Sequence, residues 1–174
     1  RLVAPQFHYR FSFADPIRDA CSVLFDDLCI NDQSSDWMAT DKKAIIPSLG
    51  KSRRHIEQTL GTEWGRQLIH PNLWVILMRA RLLSFVKSYP MTKLIVIDDV
   101  RFEDEAALVR ELGGTVIHLH RPSLQEVDPH LSEAGIKFYE CDEVLENVGD
   151  IPTLHKLVET IVRDAKHSNI LNGV

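Results

Sequence analysis

Between Lys93 and Asp99 the chain reads KLIVIDD. Leu94, Ile95, Val96 and Ile97 are consecutive, apolar and mostly β-branched, so a strand built from them has no polar face. Such a strand is covered on both sides, the condition of a parallel sheet between layers of helices. Asp98 and Asp99 then stand at a carboxyl end, where open α/β sheets collect their ligands. Around this run strand and helix patterns alternate, which predicts an α/β fold with a parallel sheet.

The other strands are expected at His8–Phe13 (HYRFSF), Thr115–His120 (TVIHLH) and Glu143–Val148 (EVLENV). Asp15-Pro16 has the form of an N-cap followed by proline at the first helical position. Ile17, Ala20, Cys21, Leu24 and Leu28 follow it at helical spacing. Ser52 is read as the N-cap of a helix through Leu60 that Gly61 ends. Pro71 opens a long helix to about Tyr89, and further helices are predicted over Glu103–Leu112 and from Pro152 to about Lys166. No repeat and no low-complexity tract interrupts the 174 residues, so a single domain over 1–174 is expected.

With 44% hydrophobic and 26% charged residues, the chain is long enough and apolar enough to bury a core. Its formal net charge of −5 argues against a protein that coats a nucleic acid polymer. Cys21, Cys29 and Cys141 form no C-x-x-C pair, which suits free thiols in a reducing, cytoplasmic setting. No apolar run approaches the roughly 20 residues that span a bilayer, and no basic-then-apolar leader is read at the start. The chain opens at Arg1 and not at Met, so upstream residues are expected.

The segment IIPSLGKSRRHIEQTLGTEWGR (Ile45–Arg66) contains Gly50-Lys51-Ser52, the end of a G-x-x-x-x-G-K-[ST] phosphate loop. Ile45 stands where that loop needs its first glycine. Pro47 removes an N–H from a loop whose purpose is to present N–H groups. The preceding TDKKAI is too charged for a buried strand, so the tripeptide is not a phosphate loop. Lys51, Arg53 and Arg54 still crowd a helix N-terminus, where free N–H groups favour anions; the alternative is a solvated basic turn.

RRHIEQTLGTEWGRQLIHPNLW, SFADPIRDA, VIDDVRFEDEAALVRELGGTVIHLHRP, HLSE and ENVGDIPTL together resemble the deoxynucleoside monophosphate kinases of bacteriophages, members of the P-loop kinase fold. The resemblance runs from about Phe11 to Val162, and GTEWGR and DDVRFxxEA are its most specific parts. It implies a parallel-sheet, three-layer P-loop nucleoside monophosphate kinase-like fold. In that family a strand and glycine-rich phosphate loop precede the helix leading to SFADP. Here RLVAPQF looks like the tail of that helix, so the first strand and P-loop are absent from this sequence and an omitted upstream segment is expected.

The resemblance implies transfer of the γ-phosphate of ATP, with Mg²⁺, to a deoxynucleoside monophosphate. Such chemistry asks the protein for alignment and positive charge around the transferring group. Arg54 and Arg66 are the first candidates for the acceptor phosphate, because a guanidinium fork grips phosphate oxygens in two places. A helix-end salt bridge to Glu63 is the alternative for Arg66, and Arg53 is set aside. Gln58, Thr62 and Glu63 are candidates for the base or sugar. Trp64 and Trp74 could stack on a base, although large aromatics more often belong to a core.

Asp98 is assigned to Mg²⁺ through water, and Arg101 to a second phosphate contact, with Glu105 bracing it. Ser12, Asp15 and Arg18 face the substrate at the end of the first visible strand, with N-capping the alternative for Asp15. Arg121 is read as a lid arginine over the transferring phosphate. Residues 121–140, with His130, Ser132 and Glu133, form the expected lid, and 31–50 the substrate-side loop. Asn147 and Gly149 are placed near the adenine of ATP. The sequence leaves base preference open, and also oligomeric state, a homodimer included.

Two other readings stand beside the kinase. A metal-dependent hydrolase would draw on His118, His120, Asp128, His130, Glu133 and His70, but their spacing fits no zinc template. A chain without a phosphate loop could instead be an inactive nucleotide-binding remnant or an assembly partner.

Overall fold

The computed structural model describes residues 8–31, 36–92, 94–121 and 135–165. In order they form β1 (His8–Phe11), α1 (Asp15–Asn31), β2 (Ile45–Ile46), β3 (Lys51–Ser52), α2 (Arg53–Thr59), a π-helical segment (Leu60–Ile69), α3 (Leu73–Ser88), β4 (Leu94–Ile97), α4 (Glu103–Glu111), β5 (Ile117–His120), β6 (Glu143–Glu146) and α5 (Ile151–Ala165). This is a mixed α/β chain, with strands and helices alternating along most of its length. The described strands pair as three two-stranded sheets, β1 with β4, β2 with β3 and β5 with β6. β5 and β6 run parallel, Ile117 opposite Glu143 and His120 opposite Glu146.

Several elements differ from expectation. β4 is not buried throughout, for Val96 is 43% exposed; among the described strands it has β1 as its neighbour. β1 stops at Phe11, although Ser12 and Phe13 beyond it are buried. Charged TDKKAI leads into no buried strand but into a two-residue hairpin strand with Ile45 exposed: Ile45 pairs with Ser52 and Ile46 with Lys51, antiparallel. The N–H groups of Leu49 and Gly50 both donate to the Ile46 carbonyl, and Gly50 has φ 62°. Gly-Lys-Ser is therefore the turn and return strand of a hairpin, with glycine supplying the left-handed residue.

Contacts divide the chain into two compact units, Phe11–Leu83 and the residues before and after it. In Phe11–Leu83 one core cluster is Cys21, Trp37 and Ile46, with Ile17, Phe25, Leu49, Ile56 and Leu60 packed on it. The Phe25 and Trp37 rings lie 5.1 Å apart. Burial pushes the Cys21 thiol up to about 11, helped by the Glu57 charge and opposed by Arg53. Trp37 donates from Nε1 to Glu57 Oε1 at 3.1 Å, and Arg53 Nε donates to the same oxygen at 2.7 Å. Arg53 also donates from Nη1 to the Met38 and Thr40 carbonyls at 2.7 and 3.3 Å. A buried guanidinium thus pins residues 36–40 onto α2, which gives part of the expected 31–50 loop a fixed seat; residues 32–35 lie outside the described set.

In the other unit Ala106, Leu108, Val116 and Leu145 are buried. Its polar centre is Asp142, whose side chain is wholly enclosed. Arg110 donates to both carboxylate oxygens, Nε to Oδ1 at 2.9 Å and Nη2 to Oδ2 at 2.7 Å. His118 Nε2 lies 3.1 Å from Oδ2, and the Tyr139 N–H donates to it at 3.0 Å. Arg110 also donates to Glu103 Oε1 at 3.0 Å and stacks 4.4 Å over the Tyr139 ring. The Arg110 hydrogen bond holds the Asp142 carboxyl far below the usual carboxylate range against its burial, with His118 and Tyr139 adding to the effect. Asp142 in turn pushes the Arg110 guanidinium further up. This cluster joins α4, β5 and the approach to β6.

Candidate active site

The helix after Ser52 does not end at Gly61. Ser52 caps it as expected, its hydroxyl accepting from the His55 N–H at 3.2 Å. From Leu60 to Ile69, however, the backbone continues as a π-helix, with the His70 N–H donating to the Gly65 carbonyl at 3.0 Å. π-Helical turns are rare and often mark functional sites.

The glycines of GTEWGR explain why the chain passes so close to its neighbours here. Trp74 is buried and donates from Nε1 to the Gly61 carbonyl at 2.7 Å. A Cβ on Gly65 would stand 2.8 Å from Trp74 Cε2, and one on Gly61 3.0 Å from Ile17 Cδ1. Of the two tryptophans offered to a base, Trp74 is core and Trp64 is 45% exposed.

The change of helix type also aligns side chains. Four residues of α-helix turn about 400°, roughly 40° past a full turn. Four residues of an i→i+5 helix, at roughly 4.4 per turn, fall about 33° short. Arg54 to Gln58 lies in α2, and Thr62 to Arg66 in the π-helical segment. The two drifts oppose, so ideal geometry keeps positions 54, 58, 62 and 66 near one helix face. An unbroken α-helix would have spread them around about a third of its circumference. Arg54 is exposed, Gln58 and Arg66 are half-buried and Thr62 is buried. Arg66 Nη1 donates to the Pro71 carbonyl at 3.1 Å, and Glu63 is exposed.

In the same unit Ser12, Asp15 and Arg18 are tied together. The Ser12 N–H donates to Asp15 Oδ2 at 3.0 Å, and Arg18 Nη1 reaches both Ser12 Oγ and Asp15 Oδ1 at 3.3 Å. Asp15 is the first residue of α1 and not its cap. Its carboxylate reaches back to the preceding turn.

Asp98, Arg101, Arg121, Asn147 and Gly149 belong to the other unit. Asp98 Oδ2 is held by Arg10 Nε, and that positive charge disfavours a cation at the same oxygen. Among the described residues no group of three His, Cys, Asp or Glu side chains could hold a metal. The acids after β4 therefore fit a Mg²⁺ carried in on nucleotide phosphates better than one caged by protein. Glu105 is buried, and its Oε2 accepts from the Arg101 and Phe102 N–H groups at 2.8 and 3.2 Å. It braces the backbone at Arg101 as the start of α4 requires, while the Arg101 side chain is exposed.

Arg121, Asn147 and Gly149 meet. With Asp150, Ile151, Pro152 and Leu154 they line a cavity of about 380 Å³. It lies at the carboxyl ends of the parallel strands β5 and β6 and at the start of α5, the usual place for a ligand in such sheets. The Asn147 N–H donates to the His120 carbonyl at 2.7 Å, continuing the ladder to the rim. Asp150 Oδ1 accepts from the Thr153 N–H and hydroxyl at 2.9 and 2.6 Å, bonds that lower its carboxyl pKa. The size and the apolar Ile151, Pro152 and Leu154 suit a flat heterocycle, with the Asn147 amide to orient it.

The lid residues His130, Ser132 and Glu133 lie outside the described residues, as does Asp128. His118, proposed for a hydrolase metal, is engaged by Asp142. No helix among the described residues is long and apolar enough to cross a membrane. The Arg53–Glu57–Trp37 and Arg110–Asp142 clusters were not anticipated. The i,i+4 spacing of Arg53 and Glu57 was a usable signal, whereas nothing local links residues 110 and 142.

Comparison with known proteins agrees with these motifs. Residues 40–158 match the family described as deoxynucleotide monophosphate kinase. A putative deoxynucleotide monophosphate kinase of Acanthamoeba polyphaga mimivirus is 30% identical over 171 residues, covering 91% of this chain and 84% of that protein. The deoxynucleotide monophosphate kinase of Escherichia phage RB69 is 32% identical over 64% of this chain and 45% of its own length. That of Enterobacteria phage T4 is 29% identical over 64% of this chain and 46% of its own. The chain thus spans under half the length of these two phage relatives. On the family match and the mimiviral similarity together, this chain belongs to the deoxynucleotide monophosphate kinase family.

Proposed function

We propose that the protein transfers the γ-phosphoryl group of ATP to a deoxynucleoside monophosphate, within a three-layer P-loop kinase fold. The observation that carries the reading is the cavity in which Arg121, Asn147 and Gly149 come together beyond the parallel pair. Their positions, 26 and 28 residues apart in the chain, converge as a nucleotide site requires. The names of the viral relatives support the deoxynucleotide as acceptor.

Within this reading the adenine rests on Ile151, Pro152 and Leu154, and Arg121 stands where negative charge gathers on the transferring group. Arg54, Gln58, Thr62 and Arg66 present the acceptor side, two guanidinium groups for the phosphate and two uncharged polar groups for base or sugar. Ser12, Asp15 and Arg18 contribute substrate contacts at the β1–α1 turn, and Glu63 adds an exposed carboxylate. Arg101 is a second phosphate contact. Bound ATP with Mg²⁺ would supply the phosphoryl group and screen its charge, and Asp98 is the residue that would hold the ion, through water. The attacking oxygen already belongs to an ionised phosphate, so no strong general base is needed.

A coupled phosphotransfer assay on the full-length protein, across the four deoxynucleoside monophosphates, tests this. Formation of ADP that depends on one or more acceptors is expected. ATP consumption indifferent to every acceptor overturns the reading.

A further inference from the structure

Among the described residues, buried Arg53 and half-buried Arg110 are well supplied with acceptors. Arg53 has donors on Glu57, Met38 and Thr40, and Arg110 on Asp142, Glu103 and Lys137. Arg81 breaks the pattern. It lies on α3, seven residues after Trp74 and three after Met78, on the face those two bury. Its Nη1 is closed off from solvent and has no hydrogen-bond partner among the described residues. The Phe11 ring faces it, with its centroid 6.0 Å from the guanidinium carbon. That is the outer limit of a cation–π contact, and a ring face accepts no directed N–H bond of ordinary strength.

A guanidinium stays charged at any ordinary pH, so it cannot relieve burial by losing a proton. Burying its donor without an acceptor is costly, so native proteins rarely leave one unmatched, and a bound ion is one way to complete it. The acceptor that suits a planar fork is an oxyanion with two coplanar oxygens, above all a phosphate. Phe11 also opens the β1–α1 turn, where Arg18 already reaches Ser12 and Asp15. Arg81 thus brings a second guanidinium to the residue next to that cluster.

We infer that Arg81 is a phosphate-binding residue, its buried Nη1 completed by an oxygen of a bound phosphate or phosphate monoester. The inference rests on the kinase reading only for the carrier of that phosphate.

The test measures thermal stability and affinity on the full-length protein with three probes: inorganic phosphate, each 5′-deoxynucleoside monophosphate, and the matching deoxynucleosides. The native chain is expected to melt higher with phosphate or a monophosphate, and not with a deoxynucleoside. Arg81→Met keeps the stem and removes the charge. It is expected to melt higher than the native protein without ligand, because an uncompensated donor is gone, and to bind phosphate at least tenfold more weakly. Arg81→Lys keeps the charge but not the fork, so it folds and binds with intermediate strength; it carries the test should Arg81→Met fail to fold. Tighter binding of a monophosphate than of inorganic phosphate identifies a nucleotide as the carrier, and equal binding identifies free phosphate.

Phosphate affinity within twofold of native in the variants overturns the inference. So does an Arg81→Lys protein that unfolds without ligand, since that marks an internal bond. Phosphotransfer separates the two readings. Variants with normal turnover and an unchanged KM for the monophosphate remove Arg81 and leave the kinase. Arg81-dependent phosphate binding without transfer keeps Arg81 and removes the kinase.

Discussion

The indole of Trp74 occupies the space that a side chain on Gly65 would need. A Cβ there would lie 2.8 Å from Cε2 and closer still to Cζ2. Alanine ordinarily stabilises a helix interior over glycine by up to about 1 kcal/mol. At this position overpacking of a buried, hydrogen-bonded indole outweighs that gain, at about 1–3 kcal/mol. Gly65→Ala is therefore expected to lower stability in urea denaturation. Gly61→Ala meets only the end of the Ile17 side chain, at 3.0 Å, and is expected to cost less. Equal effects at the two glycines would show that the indole yields freely.

Arg53 and Arg54 are adjacent and have opposite roles. Arg53 is 3% exposed and holds Glu57 and two carbonyls of residues 36–40, whereas Arg54 is exposed. Arg53→Gln leaves buried acceptors unpaired and is expected to cost on the order of 3 kcal/mol. Arg54→Gln is expected to change stability by less than about 1 kcal/mol. In the phosphotransfer assay the order reverses per folded molecule: Arg54→Gln, like Arg66→Gln and Arg101→Gln, lowers kcat/KM by about 100-fold, a loss of about 2.7 kcal/mol. His70→Gln and His118→Gln, compared in the same way, are expected to lower it far less. Intact turnover in the three arginine variants would remove the acceptor site as drawn.

What the sequence disclosed depended on how local each cause is. Ser52 announced its cap, because capping acts over three residues. Arg121 was placed by the carboxyl end of the Thr115–His120 strand, whereas Asn147 and Gly149 came from the family resemblance and from no strand rule. Gly61 misled, since glycine after an apolar helix face usually stops it; here its carbonyl accepts from the Trp74 indole, thirteen residues on, and the helix widens instead of ending. KLIVIDD implied cover on both faces, but the described β4 leaves Val96 exposed, because apolarity in sequence does not state how many neighbours a strand has. Arg110 and Asp142 are 32 residues apart and meet only through packing, so no spacing rule pointed to them.

Asp142 makes stability depend on acid. Arg110 holds its folded pKa far below the unfolded value of about 3.9. A depressed folded pKa contributes stability above the unfolded pKa and loses it as pH falls below about 4. Asp142→Asn is expected to destabilise at pH 7 by on the order of 3 kcal/mol, because Arg110 loses the enclosed charge it is paired with. The gap between variant and native should narrow steadily as denaturation is repeated below pH 4. A gap that is constant from pH 7 downward would show that the pair contributes shape and not charge.

The cavity beyond β5 and β6 sets the last expectation. Its lining offers one neutral amide, Asn147, among apolar and backbone surfaces, with Arg121 and the Thr153-bonded Asp150 carboxylate beside it. Truncating an amide that bonds a heterocycle costs about 1–1.5 kcal/mol. Asn147→Ala should then raise the KM for ATP by about tenfold, with kcat and the KM for the monophosphate nearly unchanged. Arg121→Gln, acting where charge develops, should lower kcat while ATP affinity changes less. Steady-state kinetics with each substrate varied in turn read the two patterns separately. If Asn147→Ala raised the monophosphate KM and left that for ATP alone, the cavity would hold the acceptor, and the assignment of the two sides would be reversed.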